Sequence, residues 1–122
     1  MSSFTTPLVG EWTNDDMTQF KLTQEFEYVA NDGSVYSVPI GFITDFASTP
    51  KWLRWLIPPI GKYGKAAVLH DYLYKTHSVG KNKADQLFLE AMQVLKVHHW
   101  NARIMYEAVV IFGEKEYLKG GK

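Results

Sequence analysis

The residues of this chain best suited to chemistry are His70, Asp71 and Tyr74, in Leu69-His70-Asp71-Tyr72-Leu73-Tyr74, and Asp85, in Lys83-Ala84-Asp85-Gln86-Leu87-Phe88. A helix over the first segment puts His70 and Tyr74 on one face, because positions i and i+4 are neighbours there. Asp71 is rotated by about 100° from His70 and faces a different direction. A second helix, antiparallel to the first after a short turn, carries Asp85 near its start and brings it beside His70. The set would supply a general base (His70) with a hydroxyl on its face (Tyr74), a carboxylate that orients it (Asp85), and a second carboxylate free for a cation (Asp71).

The ordinary alternative for His70 is a core histidine that donates to a backbone carbonyl. The surrounding polar groups weigh against it. Asp71 and Asp85 interrupt apolar helical faces, where an unpaired carboxylate is costly. One buried hydrogen-bond network accounts for all of them together. Upstream, Thr44-Asp45-Phe46-Ala47-Ser48-Thr49-Pro50 reads either as a side-chain-stabilised turn ending at Pro50 or as a ligand loop. In the second case Asp45, Asp71 and a loop carbonyl such as that of Phe46 begin an oxygen shell. Calcium takes about six to eight oxygens, and a chain without cysteine favours such a hard cation over zinc.

The elements that must position these residues can be read from patterning. Glu25 to Ala30 alternates buried-type Phe26 and Tyr28 with Glu25 and Glu27, as a half-buried strand does. Asn31-Asp32-Gly33 is a turn signal, and Ser34 to Ile40 returns, so residues 25–40 form a hairpin. Phe20 to Leu22 and, more weakly, Leu8 to Trp12 are further strands, and Pro39 marks an edge or the end of pairing. Gly41 to Pro59 is a long connection. Helices follow at about 65–77, at about 82–96 with Asn82 as N-cap, and at 98–112 with Gly113 near the end. In the first, Ala66, Ala67, Leu69, His70, Leu73 and Tyr74 form a broad stripe. In the second, Leu87, Phe88, Ala91, Met92 and Leu95 face the core, and in the third, Ile104, Ala108, Ile111 and Phe112. The expected fold is α+β: a small antiparallel sheet leading into a three-helix array. It is one domain over 1–122, β-rich at 7–43, with a functional loop at 41–63 and helices at 64–113. Met1 to Thr6 and Leu118 to Lys122 read as loose ends.

Composition narrows the classes. Hydrophobic residues make up 46% and aromatic residues 15%, enough for a packed core. Lysine plus arginine and aspartate plus glutamate are both 13, so the net charge is zero and nothing favours nucleic acid as a partner. With no cysteine, disulfides are excluded. The start lacks the basic and apolar regions of a signal peptide, and no stretch is apolar enough to span a membrane. Trp52, Trp55, Leu56 and Ile57 are interface candidates, with helix-cap packing as their alternative. His98-His99 reads as a solvated helix start and His77 as a turn residue.

Two resemblances rest on these residues. Val38 to Pro50, the segment Leu69 to Tyr74, and Ala84-Asp85-Xaa-Xaa-Phe88 resemble a family of small uncharacterised proteins of tailed phages and prophages, over about residues 20–113. That implies a phage particle or host cytoplasm as the setting, and other virion proteins as partners. The His-Asp-Xaa-Xaa-Tyr helix followed by Asp-Xaa-Xaa-Phe also resembles the phospholipase A2 superfamily over about residues 41–92, closest to its cysteine-poor bacterial and parvoviral branches. By that likeness His70 is the base that activates water, Tyr74 and Asp85 orient it, Asp71 ligates calcium, and Asp45 is a loop ligand. The glycine-rich calcium loop and the disulfides of the animal enzymes are absent. Three functions follow as expectations: a calcium-dependent esterase-like hydrolase of lipid or envelope bonds; a tail, neck or baseplate component that keeps the network as core; and a cell-wall hydrolase using the same residues.

Overall fold

Aromatic and β-branched residues at alternate positions make the first half of the chain into short strands. The structure is a computed structural model, and it describes residues 2–13, 19–44 and 64–119. The strands are β1 (Ser3–Phe4), β2 (Gly10–Trp12), β3 (Phe20–Leu22), β4 (Phe26–Val29), β5 (Val35–Val38) and β6 (Ile43–Thr44). They form two antiparallel three-stranded sheets, ordered β1-β4-β5 and β2-β3-β6, rather than the single sheet expected.

The β4–β5 hairpin pairs Phe26 with Val38 and Val29 with Val35. Its turn closes with Ala30 N–H donating to Ser34 O at 2.8 Å, Asp32 Oδ1 accepting from Ser34 N–H at 2.9 Å, and Gly33 at φ 88°. That left-handed conformation suits glycine, which has no Cβ to clash. Phe26, Tyr28 and Val38 are fully buried, as the alternation requires.

The expectation of a loose start fails at β1. Ser3 pairs with Val29 and Phe4 with Tyr28. The Phe4 ring stacks on Phe26 at 5.2 Å and meets Tyr28 at 4.6 Å. Burying aromatic area offsets the entropy of ordering the end, a term that composition near a terminus does not reveal.

Helices follow: α1 (Gly64–Thr76), α2 (Lys81–Val94), α3 (His99–Phe112) and α4 (Glu114–Lys119). The architecture is therefore α+β, as expected. α1 is central and packs on α2, α4, β5 and β6. Hence Ala66 through Asp71, Leu73 and Tyr74 are all buried, and the burial is wider than one stripe. The α1 helix ends at Thr76, and His77 after it takes φ 53°. The His77 ring lies flat on Tyr117 at 3.9 Å, with Nε2 2.5 Å from the Tyr117 carbonyl, so α4 is fastened to the end of α1. Leu118 and Lys119, expected to be loose, belong to α4.

One helix boundary and one helix face differ from the sequence expectation. Gly80, not Asn82, precedes the first turn of α2, and its carbonyl accepts from Ala84 N–H at 2.9 Å without a side-chain cap. This earlier start places Lys81 one turn before Asp85. Among the described side chains of α3 the buried ones are Ala102, Met105 and Ala108, while Ile111 is 63% exposed; the Phe112 side chain, also expected inward, lies outside those described. Small residues let α3 approach closely, and the exposed apolar positions lie off that contact. His98 caps α3 by accepting from Trp100 N–H at 3.3 Å, so the His98-His99 pair is a solvated helix start as read. Glu90 on α2 ties the helices to the hairpin, accepting from the Tyr28 hydroxyl at 2.5 Å and from Asn31 N–H at 3.0 Å. No helix among the described residues is long and apolar enough to cross a membrane.

Candidate functional site

α1 and α2 run antiparallel, since Tyr74 and then His70 on α1 meet Asp85 and then Phe88 on α2. Their crossing brings together three of the residues singled out in the sequence. His70 Nε2 lies 2.8 Å from Asp85 Oδ1, and the Tyr74 hydroxyl donates to the same oxygen at 2.5 Å. The His70 ring packs between Tyr74 (4.0 Å between centroids) and Phe88 (4.6 Å). His70 is 2% exposed and Asp85 1%.

Sequence reading missed Lys81. Its ammonium donates to Asp85 Oδ2 at 2.8 Å and to the carbonyls of Val109 and Val110 at 3.0 and 3.2 Å. All three N–H groups are thus committed. The signal was available, since Lys81 stands four residues before Asp85, but an i,i+4 pair is usually a surface ornament of small value. Gly113 was read only as a helix end. A Cβ built on it would lie 2.3 Å from Val109 O and 2.7 Å from the Tyr74 hydroxyl oxygen, so the glycine makes room for the network.

The electrostatics follow from these partners. Burial alone would push the Asp85 carboxyl up. The donors from His70, Lys81 and Tyr74 outweigh it and hold Asp85 below its ordinary 3.8. Burial pushes the His70 imidazole below its ordinary 6.5, against the pull of Asp85 and Asp71 and with some help from Lys81. The downward direction makes sense because Lys81 and Tyr74 already compensate the Asp85 charge. Burial and Asp85 push the Tyr74 hydroxyl up, so it stays a donor.

An ionised carboxylate only accepts, so Nε2 carries the ring proton and Nδ1 carries the lone pair. Nδ1 is buried and has no hydrogen-bond partner among the described residues. Chemically, this is a neutral imidazole held on one side by a compensated carboxylate, with its basic nitrogen bonded to none of the described residues.

Asp71 is placed differently. It lies on α1 beside His70 but pairs with Lys75, its Oδ2 3.3 Å from the ammonium. Asp45 and Phe46, the other expected cation ligands, lie outside the described residues, as do Trp52, Trp55, Leu56 and Ile57. Among the described residues no three acidic or histidine side chains gather to hold a metal. Asp71, the described oxygen donor expected for calcium, already has an ammonium on it, so the described donors do not fit a dication as they stand.

Comparison with known proteins yields a family and one curated relative. A family model described as "Protein of unknown function (DUF1353)" matches residues 20–109. "Uncharacterized protein y4jT" of Sinorhizobium fredii (strain NBRC 101917 / NGR234) is 34% identical over 101 residues, covering 81% of this chain and 30% of that protein. The chain therefore spans less than a third of the length of this curated relative. No solved structure matches it.

Proposed function

The chain belongs to the DUF1353 family, described as proteins of unknown function, and we propose that its His70–Asp85 pair is the base of a hydrolase acting on ester bonds of a lipid or envelope component. The observation that carries this reading is that Nδ1 of His70 has no hydrogen-bond partner among the described residues, on a ring whose other nitrogen is fixed by Asp85 at 2.8 Å. A histidine kept only for packing gains by satisfying both nitrogens, since a buried polar atom without a partner costs about 1–3 kcal/mol.

In this reading Nδ1 takes a proton from water as the water oxygen bonds to the ester carbonyl carbon. Asp85 stabilises the resulting imidazolium, and Tyr74 fixes the carboxylate. When the tetrahedral intermediate collapses, the ester C–O bond breaks and the leaving alkoxide takes the proton from Nδ1. One water and one ester become one acid and one alcohol. A positioned base of this kind contributes about 10²–10⁴ in rate. The resemblance of residues 38–50 and 69–74 to phage proteins supports a phage particle or infected cell as the setting, with virion proteins as partners.

A second reading has its own observation. His70 and Asp85 are almost fully buried, which suits a non-enzymatic virion component that uses the network to hold α1 on α2. Fatty-acid release from phosphatidylglycerol–phosphatidylethanolamine vesicles by wild type and His70→Ala separates the two. Release by wild type that falls about a hundredfold or more in a folded His70→Ala supports the hydrolase. Equal rates for the two proteins, or none for either on vesicles and on a soluble aryl ester, leave the assembly role.

A further inference from the structure

Lys75 stands where the sequence led us to expect a metal. Its ammonium is 3.3 Å from Asp71 Oδ2 on α1, 3.2 Å from the carbonyl oxygen of Ile43 on β6, and 5.3 Å from the centre of the Phe42 ring. A carboxylate of α1, and a backbone carbonyl and an aromatic face from the adjacent residues Ile43 and Phe42, thus converge on one cation. A plain i,i+4 surface pair would use only the first of these. Phe42 is itself held edge-on by Tyr72 at 5.3 Å, so the aromatic wall belongs to the packed structure.

The oxygens are of the kind a hard dication seeks, but those among the described residues fall short of its usual six to eight, and the ammonium already lies 3.3 Å from Asp71 Oδ2 and donates to the Ile43 carbonyl. A dication entering between them would meet a positive charge tethered to the same helix turn. The side chain of Asp71 is 8% exposed and that of Lys75 49%, so the carboxylate end of the pair is shielded and the ammonium still reaches solvent.

We propose that Lys75 is the built-in cation of this site, occupying the place between Asp71 and the Ile43 carbonyl that a divalent ion would otherwise take. Asp71 follows His70 directly on α1, so Lys75 is tied to the helix that carries the base. In the hydrolase reading, on which this half of the inference rests, the half-exposed ammonium is the charge available to a developing oxyanion or to an anionic headgroup. The ion-exclusion half is independent of catalysis.

The test is calcium and magnesium calorimetry on the full chain as wild type, Lys75→Met, Asp71→Asn and the double variant, each first checked for a native melting transition. Lys75 is half exposed, so Lys75→Met is expected to fold. Wild type should give no Asp71-dependent heat at millimolar calcium. Lys75→Met should bind calcium at least about tenfold more tightly, and the double variant should lose that gain. Wild-type binding of calcium that disappears in Asp71→Asn overturns the proposal, because the ammonium then does not hold the place. Failure of Lys75→Met to bind either ion better than wild type overturns it too, because the place is then not a cation site. Neither outcome depends on hydrolysis. If vesicle hydrolysis is observed, wild-type release should be insensitive to EDTA and that of Lys75→Met should become calcium-dependent.

Discussion

Acidification should unfold this protein in two stages, and the first belongs to His70. Burial holds the folded-state imidazole below its ordinary 6.5. Above that value both folded and unfolded chains carry a neutral ring, and the group has no effect on stability. Below it the unfolded chain binds a proton that the folded chain resists, so stability falls as pH falls, by up to about 1.4 kcal/mol per unit. Between about pH 7.5 and about pH 5.5 the loss is at most about 1.3 kcal/mol, the ceiling set by the unfolded ring's ordinary value, which for a domain of this size lowers the melting temperature by no more than roughly 4–6 °C. The second stage is Asp85, whose folded-state carboxyl lies below its ordinary 3.8. Its contribution is present above 3.8 and is lost as pH falls further through the folded value. Urea denaturation of wild type and His70→Gln across both windows isolates the first stage. The variant should lack the loss between about pH 7.5 and about pH 5.5 and retain the one at lower pH. Parallel curves in the upper window would mean that His70 protonates as easily folded as unfolded. A wild type that gains stability on acidification there would mean that Asp85 outweighs burial. Either result refutes the assignment of a neutral, lone-pair-bearing ring.

Other perturbations of the network have equally definite outcomes. Asp85→Asn keeps the side-chain shape but removes the charge that stabilises an imidazolium. Lys81 keeps its two carbonyl acceptors, so the expected cost is about 1–3 kcal/mol in a chemical melt, and on the hydrolase proposal a loss of about 10²–10⁴ in ester turnover. Gly113→Ala puts a methyl group against the Val109 carbonyl and the Tyr74 hydroxyl. It should cost about 1–3 kcal/mol by thermal melt and weaken the Tyr74–Asp85 hydrogen bond, which a near-ultraviolet tyrosine signal reports. A wild-type melt for this variant would show that the α3–α4 junction yields freely.

The hairpin and the α1–α2 pair were legible because their signals are local. Phe26 and Tyr28 alternate with glutamates around a turn containing Gly33, and His70, Tyr74 and Asp85 stand on helices joined by a short connection. Each feature is set by a period of two or of 3.6 and by one turn. What was not legible depends on partners far away in sequence. The pairing of β1 depends on Phe4 reaching Phe26 and Tyr28. The inward face of α3 depends on which side α2 and α4 approach, so Ile111 was read inward although it lies outside. The start of α2 was misplaced because Asn82 is a good capping residue, whereas the actual cap at Gly80 uses backbone alone. Lys75 and Lys81 were overlooked for the same reason: on a helix, a lysine four positions from an aspartate says nothing about the carbonyls that complete its shell.

Those carbonyls explain how α3 takes part in the site without a side chain in it. Val109 and Val110 lie in the last turn of α3, where the helix end carries partial negative charge, and the Val109 carbonyl also accepts from Gly113 N–H at 2.9 Å. Lys81 places its ammonium there, 3.0 and 3.2 Å from the two oxygens, while its third contact is Asp85 at 2.8 Å. One ammonium therefore serves two negative centres. Without it, the Asp85 carboxylate would face burial with only neutral donors, and the carboxyl would move toward its protonated form. A protonated Asp85 could no longer stabilise a charge on His70. The length of α3, which decides where its terminal carbonyls fall, is thus linked to the charge state of Asp85. An insertion of one residue in α3 before Val109 would rotate those carbonyls by about 100° away from Lys81. It would disturb the base without touching any residue that contacts it.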